Sequence, residues 1–244
     1  MMMHPSDRET VALQLRLRGY ALVGPFESEQ ASHAFVEHEW TAVPQYNGEF
    51  RYDVKARPEF SDLPLSQGHR AIGPHTEGIA LQQSPRFLSL HCVAPATCGG
   101  GYTNLYDGYR VLEEMTLAEM ALCTSETFDF LTTGSFDKEA ANKASRRIVQ
   151  MAPCGDVQIS FSDNFFRWGD LNPTDLATAQ AAPLSQQTRA VVQKILAACD
   201  STEIKILIPR QATLVWDNYR MLHSRDAYTD RNRHLVRHWM ESRK

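Results

Sequence analysis

The sequence predicts an α+β fold, in which a β-sandwich or jelly roll is flanked by helices. Short strand-like apolar segments occur on both sides of a helical middle section, at residues 87–93, 204–208, 212–216 and 234–240. The clearest helix, residues 183–199, has a proline near its start and enough leucine, valine and isoleucine for an apolar face. No repeat, low-complexity tract or linker divides the chain, so we expect one domain over residues 1–244.

Capping and turn residues predict the elements near the N-terminus. Ser6 and Glu9 form a capping-box pattern that predicts a helix ending near Gly19, although leucines at alternate positions also allow a strand there. A short strand over residues 20–23 and a helix over about 28–40 are expected next. Residues 41–70 contain many turn formers and therefore predict loops.

The middle of the chain is expected to be mainly helical, beginning with a helix over residues 107–115. Residues 157–161 alternate between apolar and polar side chains, which predicts a strand. Residues 163–168 combine aromatic and charged side chains, a composition suited to a lid loop over a site. Packing on the surface is the alternative for this segment.

The composition is that of an ordinary globular protein. A formal net charge of −4 provides no basic field for nucleic acid, and no apolar run reaches the length of a membrane span. The first residues have neither the basic nor the apolar region of a signal peptide, and the five cysteines form no C-x-x-C pair. We therefore expect a cytoplasmic protein without nucleic-acid or membrane partners; a homo-oligomer is compatible with the sequence.

Three residues form a candidate metal site. His75 and Glu77 stand two positions apart, so their side chains would leave the same face of a strand. With nine histidines and 29 acidic residues, about one such pair is expected by chance. His223, which follows a strand-like run and a turn, is the candidate third ligand. A histidine satisfied by solvent or by the core is the alternative for each imidazole. Two histidines and one carboxylate are the ligands of non-haem Fe(II) oxygenases.

Two arginines near the C-terminus are candidate anion ligands. Arg233 and Arg237 would lie on one face of a strand, about 13 Å apart at about 3.3 Å per residue. A guanidinium binds a carboxylate through two parallel hydrogen bonds, and this separation favours one anion for each arginine. A solvated edge strand is the alternative.

Four segments resemble, in their order, the TauD/clavaminate-synthase branch of the Fe(II)/2-oxoglutarate-dependent dioxygenases. They are His75-Thr-Glu77, Gly100-Gly-Tyr-Thr103, Trp216-Asp-Asn-Tyr-Arg-Met-Leu-His223 and Arg233-His-Leu-Val-Arg237. The likeness covers about residues 71–108 and 213–240, and it is looser between them. It implies a double-stranded β-helix, the cupin-like form of the jelly roll, flanked by helices.

The resemblance also implies roles for individual residues. His75, Glu77 and His223 would be the iron ligands and the catalytic centre, and Arg233 with Thr103 would hold the distal carboxylate of 2-oxoglutarate. Three further candidates keep an alternative each: Trp216 lines the co-substrate pocket or packs in the core, Arg237 anchors an anionic substrate or assists the co-substrate, and Asn104 contacts substrate or forms a turn. Tyr219 stands where the family usually has arginine. Glu77 occupies the position that related halogenases leave to glycine or alanine, which favours an oxygenase.

The resemblance implies an enzyme that uses Fe(II), 2-oxoglutarate and O2, with decarboxylation of 2-oxoglutarate to succinate. The expected reaction is hydroxylation of an unactivated C–H bond, with desaturation or cyclisation as alternatives. An anion-binding Arg237 predicts a small anionic substrate such as an amino acid. A redox-inert metal-binding jelly roll and a 2-oxoglutarate sensor are the competing functions.

Overall fold

A computed structural model describes residues 2–57, 65–132, 142–167 and 185–243. The helices are α1 (Arg8–Arg18), α2 (Glu29–Glu39), α3 (Gly108–Glu113), α4 (Leu117–Ser125), α5 (Asp163–Arg167) and α6 (Gln186–Thr202). The strands are β1 (Tyr20–Val23), β2 (Trp40–Val43), β3 (Arg51–Val54), β4 (Ile72–His75), β5 (Phe87–Ala94), β6 (Thr103–Asp107), β7 (Phe128–Thr132), β8 (Asn142–Arg146), β9 (Val149–Met151), β10 (Val157–Ile159), β11 (Ile204–Ile206), β12 (Thr213–Asp217), β13 (Met221–Arg225) and β14 (His234–Ser242).

Two antiparallel sheets form the centre of the molecule. In the larger sheet the strands lie in the order β1, β12, β5 and β14, and both β2 and β3 pair with the remaining edge of β14. The smaller sheet has the order β11, β6, β13 and β4. Two short pairs, β7 with β8 and β9 with β10, accompany them. This arrangement confirms the predicted α+β jelly roll with flanking helices.

The core lies between the two sheets and on their outer faces. The inner core takes side chains from both sheets: Leu90, Leu214, Trp216, Leu235, Trp239, Leu105 and Met221. Helices α1 and α2 cover the outer face of the larger sheet, where Val215 and Met240 pack. Helix α6 and strands β7, β9 and β10 cover the outer face of the smaller sheet. The strands of both sheets are therefore buried on both faces, and successive residues of one strand face different layers.

Local signals set most element ends. Gly19 ends α1 in the left-handed conformation (φ 78°), and the side chain of Ser28 caps α2 through the N–H of Ala31. The predicted capping box at Ser6 is wrong, because α1 begins after Asp7 without a side-chain cap. The described part of α6 begins after Ser185; the proline that was predicted to start this helix lies outside the described residues.

Two regions differ from the sequence prediction. Residues 41–70 were predicted as loops, yet they contain β3 and most of β2, whose pairing with β14 is long-range and leaves no local pattern. The middle section contains β7, β8 and β9 as well as helices. The predicted lid at 163–168 is α5 over its described residues, and Phe166 packs in the core; Trp168 lies outside them. In the described parts of the chain, no helix has the length and apolarity needed to cross a membrane.

Replacing Phe166 tests whether α5 belongs to the core. Its ring is 1% exposed and lies 4.5–6.3 Å from the rings of Phe128, Phe130 and Phe161. We expect Phe166→Ala to lower the free energy of unfolding by about 3–5 kcal/mol in a urea titration, because it leaves a cavity. The neighbouring Phe165→Ala should cost less, since Phe165 is only partly buried. Equal and small losses would contradict the core assignment.

A buried histidine of β14 that stacks against α2 predicts a pH dependence of stability. Burial, with His33 and Arg51 nearby, lowers the pKa of His238 to about 4, and its ring stacks 4.9 Å from that of His33. The unfolded chain takes up this proton below about pH 6.5, whereas the folded chain does so only near pH 4. His238 therefore contributes stability that is complete above pH 6.5 and falls as the pH drops through this window.

We expect His238→Gln to flatten this dependence between pH 7.5 and pH 4 by roughly 3 kcal/mol, measured as the free energy of unfolding at each pH. His4→Gln, which replaces an exposed histidine, is the control and should leave the slope unchanged. A slope in His238→Gln equal to that of the parent protein would refute the prediction.

Candidate metal centre

Two strands of the smaller sheet bring the candidate imidazoles together. His75 on β4 is the cross-strand partner of His223 on β13, and their ring centroids lie 4.0 Å apart. The sequence predicted that His75 and Glu77 share one face of a strand. Strand β4 ends at His75, however, and Glu77 lies in the turn that follows. Its Oε2 is still 3.8 Å from His223 Nε2. One donor atom from each of the three residues lies within 4.8 Å of the others, a spacing that could hold one metal ion.

The two imidazoles are in the state that a metal requires. Burial lowers the pKa of His75, and burial together with the nearby His75 lowers the pKa of His223 well below its usual range. Both rings are therefore neutral at neutral pH. Nδ1 of His75 lies 2.9 Å from the carbonyl oxygen of Gly73, to which a protonated Nδ1 donates, leaving Nε2 free as the ligand atom. Two neutral imidazoles and one carboxylate form the donor set that matches Fe(II).

Glu77 is fixed through both its backbone and its carboxylate. Asn218 accepts a hydrogen bond from Glu77 N at 2.8 Å and donates one to Glu77 O at 3.1 Å. Tyr46 donates to Glu77 Oε1 at 2.6 Å, and Arg237 Nη1 donates to Oε2 at 2.9 Å. Burial, and then the charge of Glu77, raises the pKa of Tyr46 well above its usual value, so its hydroxyl remains a donor. The carboxylate is thus oriented before any ion arrives.

The three donors open into a cavity of about 340 Å³ between the sheets. Its walls are mostly apolar, and among the residues that the structure describes, the charged groups of the lining besides Glu77 are arginines. The predicted residues Thr103, Trp216, Arg233 and Arg237 all line it. Trp216 also packs in the inner core, with its ring 4.9 Å from that of His223, so it belongs to the core and to the cavity lining at once.

Glycines allow Arg233 to approach the lead-in to β6. Arg233 Nε donates to the carbonyl oxygen of Gly101 at 3.2 Å, and Nη1 is buried without a hydrogen-bond partner. A Cβ at Gly101 (φ 76°) would lie 3.0 Å from the Arg233 side chain, and one at Gly100 would lie 2.2 Å from the oxygen of Ala227. Both positions therefore require glycine for this packing. Burial lowers the pKa of Arg233, because the guanidinium loses its hydration in the interior.

Arg237 occupies a different part of the cavity. Its Nε donates to Gln45 Oε1 at 2.8 Å and its Nη1 to Glu77, while Nη2 is buried without a partner. The rings of Tyr52 and Trp239 surround the guanidinium at 4.8 and 5.3 Å. Arg237 therefore contacts the candidate metal ligand Glu77 through Nη1 and keeps Nη2 as a free donor.

Asn104 does not reach the cavity. Thr103 faces inward on β6, so the next residue faces the outer layer, where Asn104 Nδ2 donates to Ser224 Oγ and Asp226 Oδ1 at 3.1 and 2.7 Å. This placement does not support the predicted contact of Asn104 with substrate. Because β6 begins at Thr103, Asn104 is a strand residue and not part of a turn, and strand alternation points its side chain away from the cavity.

Four residues that hold or surround the candidate site were not predicted from the sequence: Gln45, Tyr46, Asn218 and Arg225. The first two lie in the loop between β2 and β3, which carries no motif. Arg225 had a readable signal, because it stands two residues after His223 and so shares its face of a strand. Burial lowers the pKa of Arg225 to about 9, and it too lines the cavity.

Two imidazoles and one carboxylate that converge inside a jelly roll, beside buried arginines, define the class of mononuclear non-haem iron oxygenases. The chain belongs to the family described as "Taurine catabolism dioxygenase TauD, TfdA family", whose model matches residues 4–239. The resemblance read from the four sequence segments is therefore confirmed, and the chain is a member of a dioxygenase family.

Solved structures similar to this chain have the same fold at low sequence identity. Asparagine oxygenase in complex with Fe(II), 3-hydroxyasparagine and succinate aligns at TM-score 0.73 and 15% identity, over 96% of this chain and 79% of that one. The iron oxygenase OrfP with Fe, succinate and (3S)-hydroxy-L-Arg aligns at 0.70 and 12%, over 97% and 80%. A taurine dioxygenase from Burkholderia xenovorans aligns at 0.66 and 15%, over 98% and 81%. No curated protein sequence matches this chain closely enough to count as a relative.

Tyr46 provides a test of how Glu77 is held. Removing its hydroxyl in Tyr46→Phe leaves Oε1 of Glu77 without this donor, and we expect the affinity for Fe(II) or Mn(II) to fall about 10- to 100-fold. Calorimetric titration under anaerobic conditions measures it. Tyr106→Phe is the matched control, because this buried hydroxyl bonds Glu203 and Ser224 and not a candidate metal ligand. Unchanged metal affinity in Tyr46→Phe would show that the hydrogen bond does not orient the carboxylate.

Proposed function

We propose that this chain is an Fe(II)- and 2-oxoglutarate-dependent dioxygenase that hydroxylates a C–H bond of a small anionic substrate such as an amino acid. The observation that carries the proposal is the convergence of His75, Glu77 and His223 in a cavity that also contains buried arginines with free donors. A redox-inert metal site would have no use for such anion ligands next to the triad.

His75, Glu77 and His223 would hold the iron. The chemistry supplied there by Fe(II), when bound, is activation of O2 coupled to decarboxylation of 2-oxoglutarate to succinate and CO2. The protein residues bind, orient and exclude water. Trp216 and the apolar walls keep the cavity dry, which strengthens every charge interaction within it. Asn218, Tyr46 and Arg237 keep the carboxylate ligand in place.

The arginines would separate co-substrate from substrate. Arg233 has a buried Nη1 without a partner and lines the same cavity as Thr103, which suits the distal carboxylate of 2-oxoglutarate. Arg237 sits with Glu77 and Gln45, so an anion on its free Nη2 would be close to the metal. This position suits the anionic group of the substrate, whose C–H bond must face the iron.

The substrate class is supported by the similar structures. Asparagine oxygenase and OrfP were each solved with a hydroxylated amino acid, and the taurine dioxygenase family takes its description from a sulfonate. A screen for succinate release over amino acids, sulfonates and short carboxylates, with Fe(II), ascorbate and O2, identifies the substrate. Desaturated or cyclised products in place of a hydroxylated one would change the reaction type but not the class.

Glu77→Ala tests the centre directly. We expect this variant to lose both substrate-dependent succinate formation and the visible charge-transfer band that Fe(II) and 2-oxoglutarate produce anaerobically in the parent protein, because one of three ligands is gone. The exposed Glu203→Ala is the control and should retain both.

Two other outcomes would overturn the proposal. Metal binding by the parent protein without the charge-transfer band would indicate a redox-inert site. Binding of 2-oxoglutarate without succinate release for any candidate would indicate a sensor.

A further inference from the structure

Arg225 is a buried arginine whose role in the cavity has no assignment so far. On β13, Met221, His223 and Arg225 alternate toward the inside of the jelly roll, whereas Leu222 packs in the outer core. Arg225 is 6% exposed and lines the same cavity as the candidate metal ligands. Its guanidinium is therefore presented to the interior by the same strand that presents His223.

In the described part of the chain, the charge of Arg225 is not balanced by a carboxylate. Its Nη2 donates to the carbonyl oxygen of Arg70 at 2.6 Å and its Nη1 to that of Ser66 at a long 3.5 Å, while Nε is buried without a partner. Among the residues that the structure describes, no aspartate or glutamate forms an ion pair with Arg225 or with Arg233. Burying a cation in this way is costly unless an anion joins it.

Arg225 and Arg233 belong to one cluster. Both guanidinium carbons lie near the ring of Tyr228, at 5.2 and 4.9 Å from its centroid. Arg225 is also the cross-strand partner of Thr103 on β6, so these two side chains leave neighbouring strands on the same face, with Cβ atoms about 5 Å apart. A hydroxyl and two guanidiniums with unpartnered donors thus line one wall of the cavity.

We propose that Arg225 is a second arginine of the co-substrate pocket, which binds the distal carboxylate of 2-oxoglutarate together with Arg233 and Thr103. The inference rests on the proposed function and extends it. A carboxylate has about four acceptor positions, enough for donors from all three side chains. The third cavity arginine, Arg237, is held apart by Gln45 and Glu77 and remains for the substrate.

The competing role for Arg225 is purely structural. Its hydrogen bonds to the carbonyl oxygens of Ser66 and Arg70 tether the segment that carries Leu65 and Ser66 into the cavity wall. Loss of this tether would disturb the cavity for any ligand, whereas loss of a carboxylate ligand would affect only ligands that possess that carboxylate. The two roles therefore differ in ligand dependence.

The experiment compares two 2-oxo acids of equal chain length, 2-oxoglutarate and 2-oxopentanoate, which lacks the distal carboxylate. Dissociation constants are measured anaerobically from the charge-transfer band of the Fe(II)-loaded protein, after iron loading has been shown to be unchanged. For Arg225→Gln we expect binding of 2-oxoglutarate to weaken roughly 10- to 100-fold, with binding of 2-oxopentanoate unchanged. Arg225→Lys should weaken 2-oxoglutarate less, because it keeps the charge without the planar fork.

The remaining outcomes decide against the inference. An equal loss for both 2-oxo acids would assign Arg225 a structural role, and unchanged affinity for 2-oxoglutarate would remove it from the pocket. The control Arg220→Gln, which breaks an ion pair with Asp107 outside the cavity, should alter neither constant. Should Arg225→Gln not fold, Arg225→Lys provides the same comparison of ligands. Failure of the parent protein to bind 2-oxoglutarate at all would instead refute the proposed function and, with it, this inference.

Discussion

The register of β13 between β4 and β6 is the constraint on which the whole site depends. On one side this strand sets His223 opposite His75, and on the other it sets Arg225 opposite Thr103. A slip of one residue would turn the inward side chains of β13, among them His223 and Arg225, toward the outer core and bring Leu222 inward. Because both faces of the smaller sheet are buried, such a slip is heavily disfavoured. The apolar packing on either side of β13 is thus what keeps the polar site aligned.

The charge distribution of the cavity follows from the same arrangement. Among the described residues, three arginines and one carboxylate line it, and Glu77 already contacts Arg237 at 2.9 Å. The described lining is therefore short of negative charge, at a depth where charges are only weakly screened. A metal ion would add further positive charge. A site of this kind favours anionic ligands. Cation–π contacts partly stabilise the buried guanidiniums: Tyr52 and Trp239 lie near Arg237, and Tyr228 lies near both Arg225 and Arg233.

The sequence predicted the parts of this site that recur as ordered motifs on strands. His75, His223, Thr103 and Arg233 all line the cavity, and β12 and β14 were predictable from their apolar runs.

Tyr46 was not predictable, because it meets Glu77 across 31 positions and comes from a loop without a motif. Gln45 meets Arg237 across 192 positions. Asn104 was offered as a substrate contact or a turn residue because β6 was not recognised as a strand, and Arg225 was overlooked although its alternation with His223 was readable. The turn formers of residues 41–70 concealed β3 for a related reason: its pairing with β14 is a tertiary contact, and local propensity does not encode it.

Strands carry most of the candidate metal and co-substrate ligands, whereas loops contribute other parts of the cavity wall. This difference explains how one scaffold can bind different substrates. Three of the candidate ligands of metal and co-substrate, His75, Thr103 and His223, stand on strands of the smaller sheet, while Arg233 directly precedes β14 and is fixed by the glycines before β6. These positions are rigid because two sheets determine them. Several other residues that face the cavity, among them Tyr46, Leu65, Ser66 and Leu81, come from connecting segments. Loops tolerate change better than sheets, so the substrate wall can vary while the chemistry stays in place. Arg237 joins the two parts, because it stands on β14 yet is oriented by Gln45 from a loop. If Arg237 holds the substrate anion as proposed, a change in that loop would alter how this anion faces the candidate metal ligands.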